Sequence, residues 1–199
     1  QGLCFIGKVR LPDFLQQQLQ VKEGKIIEIP DSFETYSLSQ PDFESVEEEL
    51  AFKAMKPKYS ISDGTLVGTH QGAHYFTKGQ RKGLAVGGTV APLFVIDTDV
   101  HTNVIYTGQG KNHPGLYKSV LLVLPSEVHW VRPDLAIRVG ESLKVMSRIR
   151  YRQHLESAFL YATLDGLYVA FDSPQSAISE GQFVAWYKNE ELLGSGVIS

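Results

Sequence analysis

Cysteine is nearly absent from this sequence, with Cys4 the only one in 199 residues. A single cysteine excludes an internal disulfide framework and a zinc site built from cysteines, and it indicates a reducing compartment. No apolar run approaches the ~20 residues that a membrane-spanning helix needs, so no membrane partner is expected. Because Gln1 is not a natural start, we expect the chain to be a fragment or a processed product.

Positive charge is also scarce. Lysine and arginine number 19, aspartate and glutamate number 22, and the net charge is -3. The charge is unevenly distributed: residues 23–63 carry ten acids and four lysines, whereas the remaining residues carry a net charge of +3. We expect the acidic segment to face away from any phosphate backbone, because like charges repel, and RNA contact to depend on local basic clusters.

The hydrophobic pattern predicts a mainly β fold with minor α (an α+β class). Helical spacing predicts helices over residues 11–19 and 42–56, the second a solvated acidic helix with a capping box at Ser45 to Glu48. A hairpin is predicted at Asp165-Gly166. In the second half of the chain the predicted strands follow one another closely, with no helix between them, which predicts an antiparallel β-barrel. The predicted strands are residues 25–29, 65–67, 73–77, 94–96, 104–107, 119–124, 128–131, 142–152, 157–164, 167–171, 182–188 and 191–198.

The most informative stretch is the predicted strand over residues 142–152. Strand side chains alternate between two faces, so Arg148, Arg150 and Arg152 would share one face at intervals of about 6.6 Å, with Tyr151 pointing to the core. Such a row needs either a polyanion, for which a phosphate backbone is suited, or acidic residues on a neighbouring strand. The residues alone leave both interpretations open.

A basic turn, Thr77–Gly83, combines two glycines with three cations: Lys78, Arg81 and Lys82. It does not match the P-loop pattern G-x-x-x-x-G-K-[ST]. Its backbone N–H groups and cations would suit RNA phosphates, and a solvated turn is the competing interpretation.

Cys4 lies in an apolar stretch between Gly2 and Gly7. A buried structural cysteine is one interpretation, and a nucleophilic or sulfur-carrying thiol on a glycine-flanked loop is the other. A protease-like pairing with a distant histidine also stays open. His70 and His74 are four residues apart, but the stretch is punctuated by glycines and reads as turn and strand, so no metal site is predicted.

Three blocks in order along the chain carry a family resemblance. They are Gly2-Leu3-Cys4-Phe5-Ile6-Gly7, Tyr75–Leu84 with Gly87-Gly88, and Arg150-Tyr151-Arg152-Gln153 followed by Pro174 and Gly181-Gln182. Together they resemble the bacterial tRNA-specific 2-thiouridylases, the MnmA/TrmU family, over nearly the whole chain. The resemblance is poorest at about residues 30–65, which look like an acidic insertion.

This resemblance implies a cytoplasmic tRNA-uridine 2-sulfurtransferase that replaces the 2-oxygen of the wobble uridine with sulfur. In that family ATP, with Mg, adenylates the oxygen, a cysteine persulfide supplies the sulfur, and a second cysteine completes release through a disulfide. Expected partners are tRNA and a sulfur-donor protein. The family's S-G-G-x-D-S loop and second cysteine are absent from this sequence. We therefore expect ATP to be bound by a missing N-terminal domain, and this chain alone to be an inactive, tRNA-positioning part.

Site residues carry over by matching positions. Cys4 matches the persulfide-bearing cysteine, and Arg150, Tyr151 and Gln182 match tRNA contacts. Weaker candidates for RNA binding are Arg148, Arg152, Lys78, Arg81 and Lys82. If Tyr151 stacks on a base it cannot also be buried, a conflict that a strand end or a bulge would resolve.

The expected domains are a cysteine loop left over from the catalytic domain (residues 1–10), a small central domain (11–112, with the acidic insertion at about 30–65) and a C-terminal barrel (113–199). The alternative function is a non-catalytic RNA- or protein-binding β-barrel module. In that case replacement of Cys4 by serine in the full-length protein would leave function intact. No glycine-rich S-adenosylmethionine loop supports methyl transfer.

Overall fold

The computed structural model of the protein describes residues 22–38 and 41–199. Contacts divide them into two compact units, which are described separately below. The first comprises the described residues up to Ser37 with Lys58–Leu116, and the second comprises Leu38–Pro57 with Tyr117–Ser199. Cys4 and the predicted helix over 11–19 lie outside the described residues.

The first unit contains a four-stranded sheet. Its strands are β1 (Gly24–Glu28), β2 (Thr65–His70), β3 (Leu93–Asp99) and β4 (Val104–Gln109), in the spatial order β2-β1-β4-β3. Strands β1 and β4 are parallel, and the other pairs are antiparallel. Because side chains alternate, Ile26 and Ile27 enter separate apolar clusters, and both are fully buried.

The second unit is a closed antiparallel β-barrel. Its strands are β5 (Tyr117–Trp130), β6 (Ser142–Arg148), β7 (Glu156–Ala162), β8 (Leu167–Ser176), β9 (Phe183–Lys188) and β10 (Glu191–Ile198). They are ordered β10-β5-β8-β7-β6-β9, and β9 pairs with β10 to close the circle. Trp186, Leu160 and Leu193 are fully buried in its core. This architecture confirms the predicted mainly β fold with a barrel in the second half.

One α-helix is present among the described residues, α1 (Val46–Ala54). Ser45 Oγ accepts a hydrogen bond from the Glu48 N–H at 3.2 Å, as the capping box predicts, but the Glu48 carboxylate accepts from the Glu44 N–H rather than from that of Ser45. The predicted start at residue 42 was therefore too early. The helix is not wholly solvated either, because Leu50 is 5% exposed and packs against barrel residues Val120 and Tyr168.

Residues 41–57 pack with the barrel strands, although the sequence grouped them with the central domain. Lys118 on β5 holds the helix end by donating to the Ala54 carbonyl at 2.7 Å, and its burial lowers the pKa of that ammonium. The three-part division at residues 1–10, 11–112 and 113–199 stays a prediction. Its first boundary lies outside the described residues.

One strand prediction was wrong, and two others divided a single strand. Residues 73–77 are not a strand, because Ala73–Tyr75 form a 3-10 turn that follows Gly72 at φ +142°. The Ala73 N–H donates to Asn103 Oδ1 at 2.9 Å instead of to a neighbouring strand. Residues 119–124 and 128–131 are one strand, β5, which changes partner from β8 to β10 near Val123. Pro125 follows that change, where its missing N–H costs little.

Candidate nucleic-acid interface

The predicted arginine row does not exist as one strand face. Strand β6 ends at Arg148, and residues 150–152 form a turn. Gln153 makes the turn: its Oε1 accepts from the Ile149 N–H at 3.1 Å, and its own N–H donates to the Arg150 carbonyl at 3.1 Å. The turn leaves Tyr151 87% exposed, so the strand end resolves the conflict over its burial.

Arg148 is held between two tyrosines. Its Nη2 donates to Tyr187 Oη at 2.9 Å, and its Nη1 donates to the Tyr151 carbonyl at 3.2 Å. The guanidinium carbon lies 5.0 Å from the Tyr187 ring centre and 5.7 Å from that of Tyr151. Cation–π attraction and two hydrogen bonds therefore fix both this cation and the turn that carries Tyr151.

Arg150 is anchored on the other side of the turn. Its Nη2 donates to the carbonyls of Ala177 and Ser176, the latter at 3.4 Å. Arg150 and Arg152 are exposed, and Arg148 is half-buried. Within residues 22–38 and 41–199, no carboxylate lies within ion-pairing distance of these three arginines. The interpretation that acids on a neighbouring strand neutralise them gains no support from the described residues.

An open groove of about 580 Å³ brings the predicted residues together. It is lined by Arg148, Ile149, Arg150, Tyr151, Gln182, Phe183, Ala185 and Tyr187. Register places Arg148 opposite Ala185, whose small side chain forms the floor between Phe183 and Tyr187. Arg152 does not line the groove.

Gln182 enters the groove from the turn before β9. Its backbone is fixed on both sides, with its N–H donating to the Ser179 carbonyl at 3.3 Å and its carbonyl accepting from the Ile198 N–H at 2.8 Å. Its side-chain oxygen is buried and has no hydrogen-bond partner among the described residues.

Sequence reasoning missed Phe183 and Tyr187. The signal was available in Phe183-Val184-Ala185-Trp186-Tyr187, where Val184 and Trp186 are fully buried and the alternating residues point outward. Phe183 is 65% exposed, and it completes an aromatic and cationic wall of the groove.

The other predicted cations, Lys78, Arg81 and Lys82, lie in the first unit. Two backbone hydrogen bonds hold their turn against β3. The Gly79 N–H donates to the Val95 carbonyl at 2.7 Å, and the Val95 N–H donates to the Gln80 carbonyl at 2.9 Å. Gly79 has φ +83°, a conformation that favours glycine. Arg81 and Lys82 are exposed, and Lys78 is half-buried.

The histidines are structural where they are buried. His113 is 3% exposed, and its Nε2 contacts the Ile29 carbonyl at 3.1 Å while its Nδ1 accepts from the Gly115 N–H at 3.2 Å. Burial lowers the pKa of His113 and likewise that of His70, so both rings are neutral at pH 7. In the described part of the chain, no three side chains of metal-ligating type cluster together.

The N-terminus of α1 offers no fit for the phosphates of ATP. The N-terminus of α1, the position where a helix dipole favours an anion, carries Glu47, Glu48 and Glu49. These carboxylates would repel a polyphosphate. Over the described residues, none of the helices has the length and apolar character to cross a membrane.

Comparison with known protein families finds two matches. A family model described as "tRNA methyl transferase PRC-barrel domain" matches residues 46–109, and one described as "Aminomethyltransferase beta-barrel domain" matches residues 122–198. The second match coincides with the observed barrel. Both descriptions name a barrel domain of a transferase, and the first names a tRNA methyl transferase.

Named relatives narrow the assignment. The chain is 63% identical to the tRNA-specific 2-thiouridylase MnmA of Christiangramia forsetii and 61% identical to that of Flavobacterium johnsoniae, in each case over 199 residues, all of this chain and 50% of the relative. It is 35% identical to that of Pseudomonas fluorescens strain Pf0-1, over 99% of this chain and 44% of the relative. The chain belongs to the MnmA family of tRNA-specific 2-thiouridylases, and it spans about half the length of these relatives.

Proposed function

We propose that this chain is part of an ATP-dependent tRNA 2-thiouridylase, and that its barrel unit grips the tRNA. Beyond family membership, one observation carries the proposal. Arg148 and Arg150 are fixed by neutral groups beside the exposed ring of Tyr151, and no acid among the described residues neutralises them. Two oriented guanidiniums without counter-charge are suited to pair with phosphate oxygens.

The anchoring contacts favour binding because they reduce its entropic cost. Arg148 uses Nη1 and Nη2 to hold its place, and Arg150 uses Nη2, so other N–H groups of each guanidinium remain for a ligand. A cation that is already ordered loses less side-chain entropy when a phosphate arrives. The groove would therefore position RNA, while the chemistry takes place elsewhere.

For the whole enzyme, we propose the cytoplasmic reaction sequence of the family. ATP bound outside the described residues activates the wobble uridine, and a sulfur-donor protein loads Cys4 with a persulfide. Transfer to the uridine is completed through a disulfide with a cysteine that this chain does not contain. The exposed cations Arg152, Arg81 and Lys82, with Lys78, would add weaker phosphate contacts.

The test is tRNA binding by this chain across a salt series, comparing Arg150→Ala with Arg138→Ala. Arg138 is an exposed arginine before β6 and does not line the groove, so it is a matched control for the loss of one charge. We expect Arg150→Ala to weaken binding and to reduce the salt slope by about one, and Arg138→Ala to leave both unchanged. Equal effects of the two substitutions would contradict the proposal.

The alternative function is a non-catalytic binding module. Replacement of Cys4 distinguishes this module from a thiouridylase. In the full-length protein, Cys4→Ser should abolish 2-thiouridine formation while tRNA binding persists. Measurement of 2-thiouridine in tRNA from cells that carry the variant decides the matter. Undiminished thiolation with Cys4→Ser would favour the module.

A further inference from the structure

A cavity of about 740 Å³ opens within the first unit, a volume typical of ligand pockets. We call it the β1 pocket, because Glu23, directly before β1, is one of the residues that line it. Its apolar lining includes Phe76 and Leu84, and both pack in the core cluster that contains Ile26. The pocket therefore exposes an extension of the hydrophobic core of this unit.

The charges around the β1 pocket do not favour a polyanion. Among the described residues that line it, the charged ones are Glu23 and Lys82, which are of opposite sign. His70 also lines the pocket and is neutral at pH 7, because burial lowers its pKa. With no net charge and an aromatic wall, the pocket suits an apolar occupant better than phosphates.

The chain enters the first unit at this pocket. Asn103 Nδ2 donates to the carbonyls of Lys22 and Glu23, at 2.9 Å and 3.0 Å, and so fixes the backbone there. Leu19 precedes Glu23 by four residues, and four residues span at most ~14 Å. The residues before Lys22 are thus within reach of the pocket.

Those preceding residues have an apolar stripe to bury. Leu11, Phe14, Leu15 and Leu19 recur at helical spacing in the predicted helix over residues 11–19. An isolated helix shorter than about 12 residues is marginal in water, so a stripe of this length needs an apolar surface to pack on.

We propose that the β1 pocket receives the apolar stripe of residues 11–19 and so anchors the arm of the chain that carries Cys4. Cys4 precedes Leu11 by seven residues, a span of at most ~25 Å. An anchored stripe therefore confines the thiol to a limited volume around the pocket. This inference rests on the proposed role of Cys4 and deepens it, because the pocket residues become positioning residues for sulfur transfer.

Disulfide trapping in this chain tests the anchor. In a Cys4→Ser background, Gln18→Cys is combined with Gln71→Cys. Gln18 follows Phe14 by four residues and Leu15 by three, so it shares their helical face, and Gln71 is an exposed residue that lines the pocket. We expect oxidised glutathione to join this pair.

The control combines Gln18→Cys with Asn112→Cys. Asn112 is exposed and follows β4, and because β1 and β4 are parallel it lies at the end of the sheet opposite Gly24. The first pair should form its disulfide about tenfold faster than the control pair. Adding Leu15→Asp to the first pair should remove this difference, and adding Leu15→Met should preserve it. Equal rates for the two pairs would overturn the anchor and leave the pocket to another occupant.

The positioning role is tested by 2-thiouridine formation in the full-length protein. Leu15→Asp should lower it at least about tenfold without changing tRNA affinity, whereas Leu15→Met should restore it. Normal thiolation by Leu15→Asp would contradict the positioning role, because a merely structural contact would leave sulfur transfer unchanged.

The outcomes also separate this inference from the proposed function. If the Gln18–Gln71 pair is not trapped while Cys4→Ser still abolishes thiolation, the anchor is wrong and the proposed function stands. If Cys4→Ser thiolates as wild type does, the proposed function fails, and with it the positioning role, whatever the trapping shows.

Discussion

The Arg148 guanidinium lies against the Tyr187 ring, 5.0 Å from its centre, and donates a hydrogen bond to the phenol oxygen at 2.9 Å. Strand pairing brings the two together, because Arg148 is opposite Ala185 and Met146 is opposite Tyr187. The same guanidinium reaches the Tyr151 carbonyl at 3.2 Å. One planar cation thus links the end of β6, the exposed turn and β9.

Replacement of Arg148 by lysine should weaken tRNA binding although the charge is retained. A lysine ammonium cannot make the forked contact to Tyr187 and Tyr151 at once, and it loses the planar stacking on the ring. We expect a loss of about threefold, corresponding to a cation–π contact at a half-exposed site. Titration of tRNA against Arg148→Lys measures it, with Arg152→Lys as the control, and equal affinities of the two variants would contradict this role.

Leu50→Ala should destabilise the barrel unit. Leu50 is the buried residue of α1 and packs on Val120 and Tyr168. Truncation of a buried leucine at the margin of a core costs about 2 kcal/mol. Urea unfolding followed by tryptophan fluorescence reports this unit, because Trp130 and Trp186 both lie in it. Val46→Ala is the control, because Val46 is 55% exposed and its truncation should change the free energy of unfolding little. An equal loss of stability in both variants would mean that α1 does not pack on the barrel through Leu50.

Gly194→Ala should also destabilise the barrel. A Cβ at Gly194 would lie 2.6 Å from the His129 carbonyl oxygen and 2.8 Å from Trp186 ring atoms, and both are rigidly held in the barrel. Overpacking of this kind costs about 1–3 kcal/mol. Gly87→Ala is the control, since nothing lies within 4 Å of its Cβ position. The melting temperatures of the two variants are compared with that of wild type. A Gly194→Ala protein with the wild-type melting temperature would contradict the prediction, because the barrel would then accommodate the added Cβ without cost.

Stability should fall as the pH drops below about 6.5. The pKa of buried His113 is lowered in the folded state, whereas in the unfolded chain it returns to about 6.5. Protons therefore bind preferentially to the unfolded state. The contribution of neutral His113 to the stability of the fold is complete above the pKa of the unfolded chain. It is lost as the pH falls toward the pKa of His113 in the folded state. His70 contributes in the same direction.

The pH effect is measured as the slope of the free energy of unfolding between pH 7 and pH 5. His113→Gln should reduce that slope and leave a remainder due to His70. The slope is the informative quantity, because loss of the contact to the Ile29 carbonyl lowers absolute stability in any case. An unchanged slope in His113→Gln would show that this ring does not titrate on unfolding.

Much of the fold follows from local patterns. The Asp165-Gly166 hairpin was predicted because the turn needs a residue at positive φ, and Gly166 has φ +143°. Strand β10 was predicted with its observed bounds, Glu191–Ile198. The barrel followed from strand spacing without helices.

The errors arise where distant groups decide the structure. Alternation extended β6 to residue 152, but Gln153 ends it, and Gln153 is itself held by Gln175 on β8 at 2.5 Å. Ala73 turns away from a strand because its N–H donates to Asn103, thirty residues later. Neither partner is visible in a local window. The arginine pattern suggested the arginines, and the family resemblance suggested Gln182. Alternation along β9 could have placed Phe183 and Tyr187 on one outward face, but it could not show that this face adjoins the arginines, because that depends on the pairing of β6 with β9.

The most direct test of the central claim is photocrosslinking of tRNA to this chain from defined positions. A benzophenone amino acid is placed at Tyr151 in the groove or at Leu164 in the β7–β8 hairpin, two side chains of nearly equal exposure at 87% and 86%. The account predicts a tRNA crosslink from position 151 that competes with unlabelled tRNA and disappears at high salt, and none from position 164. Equal crosslinking from both positions, or crosslinking from position 164 alone, would contradict the assignment of this groove as the tRNA interface.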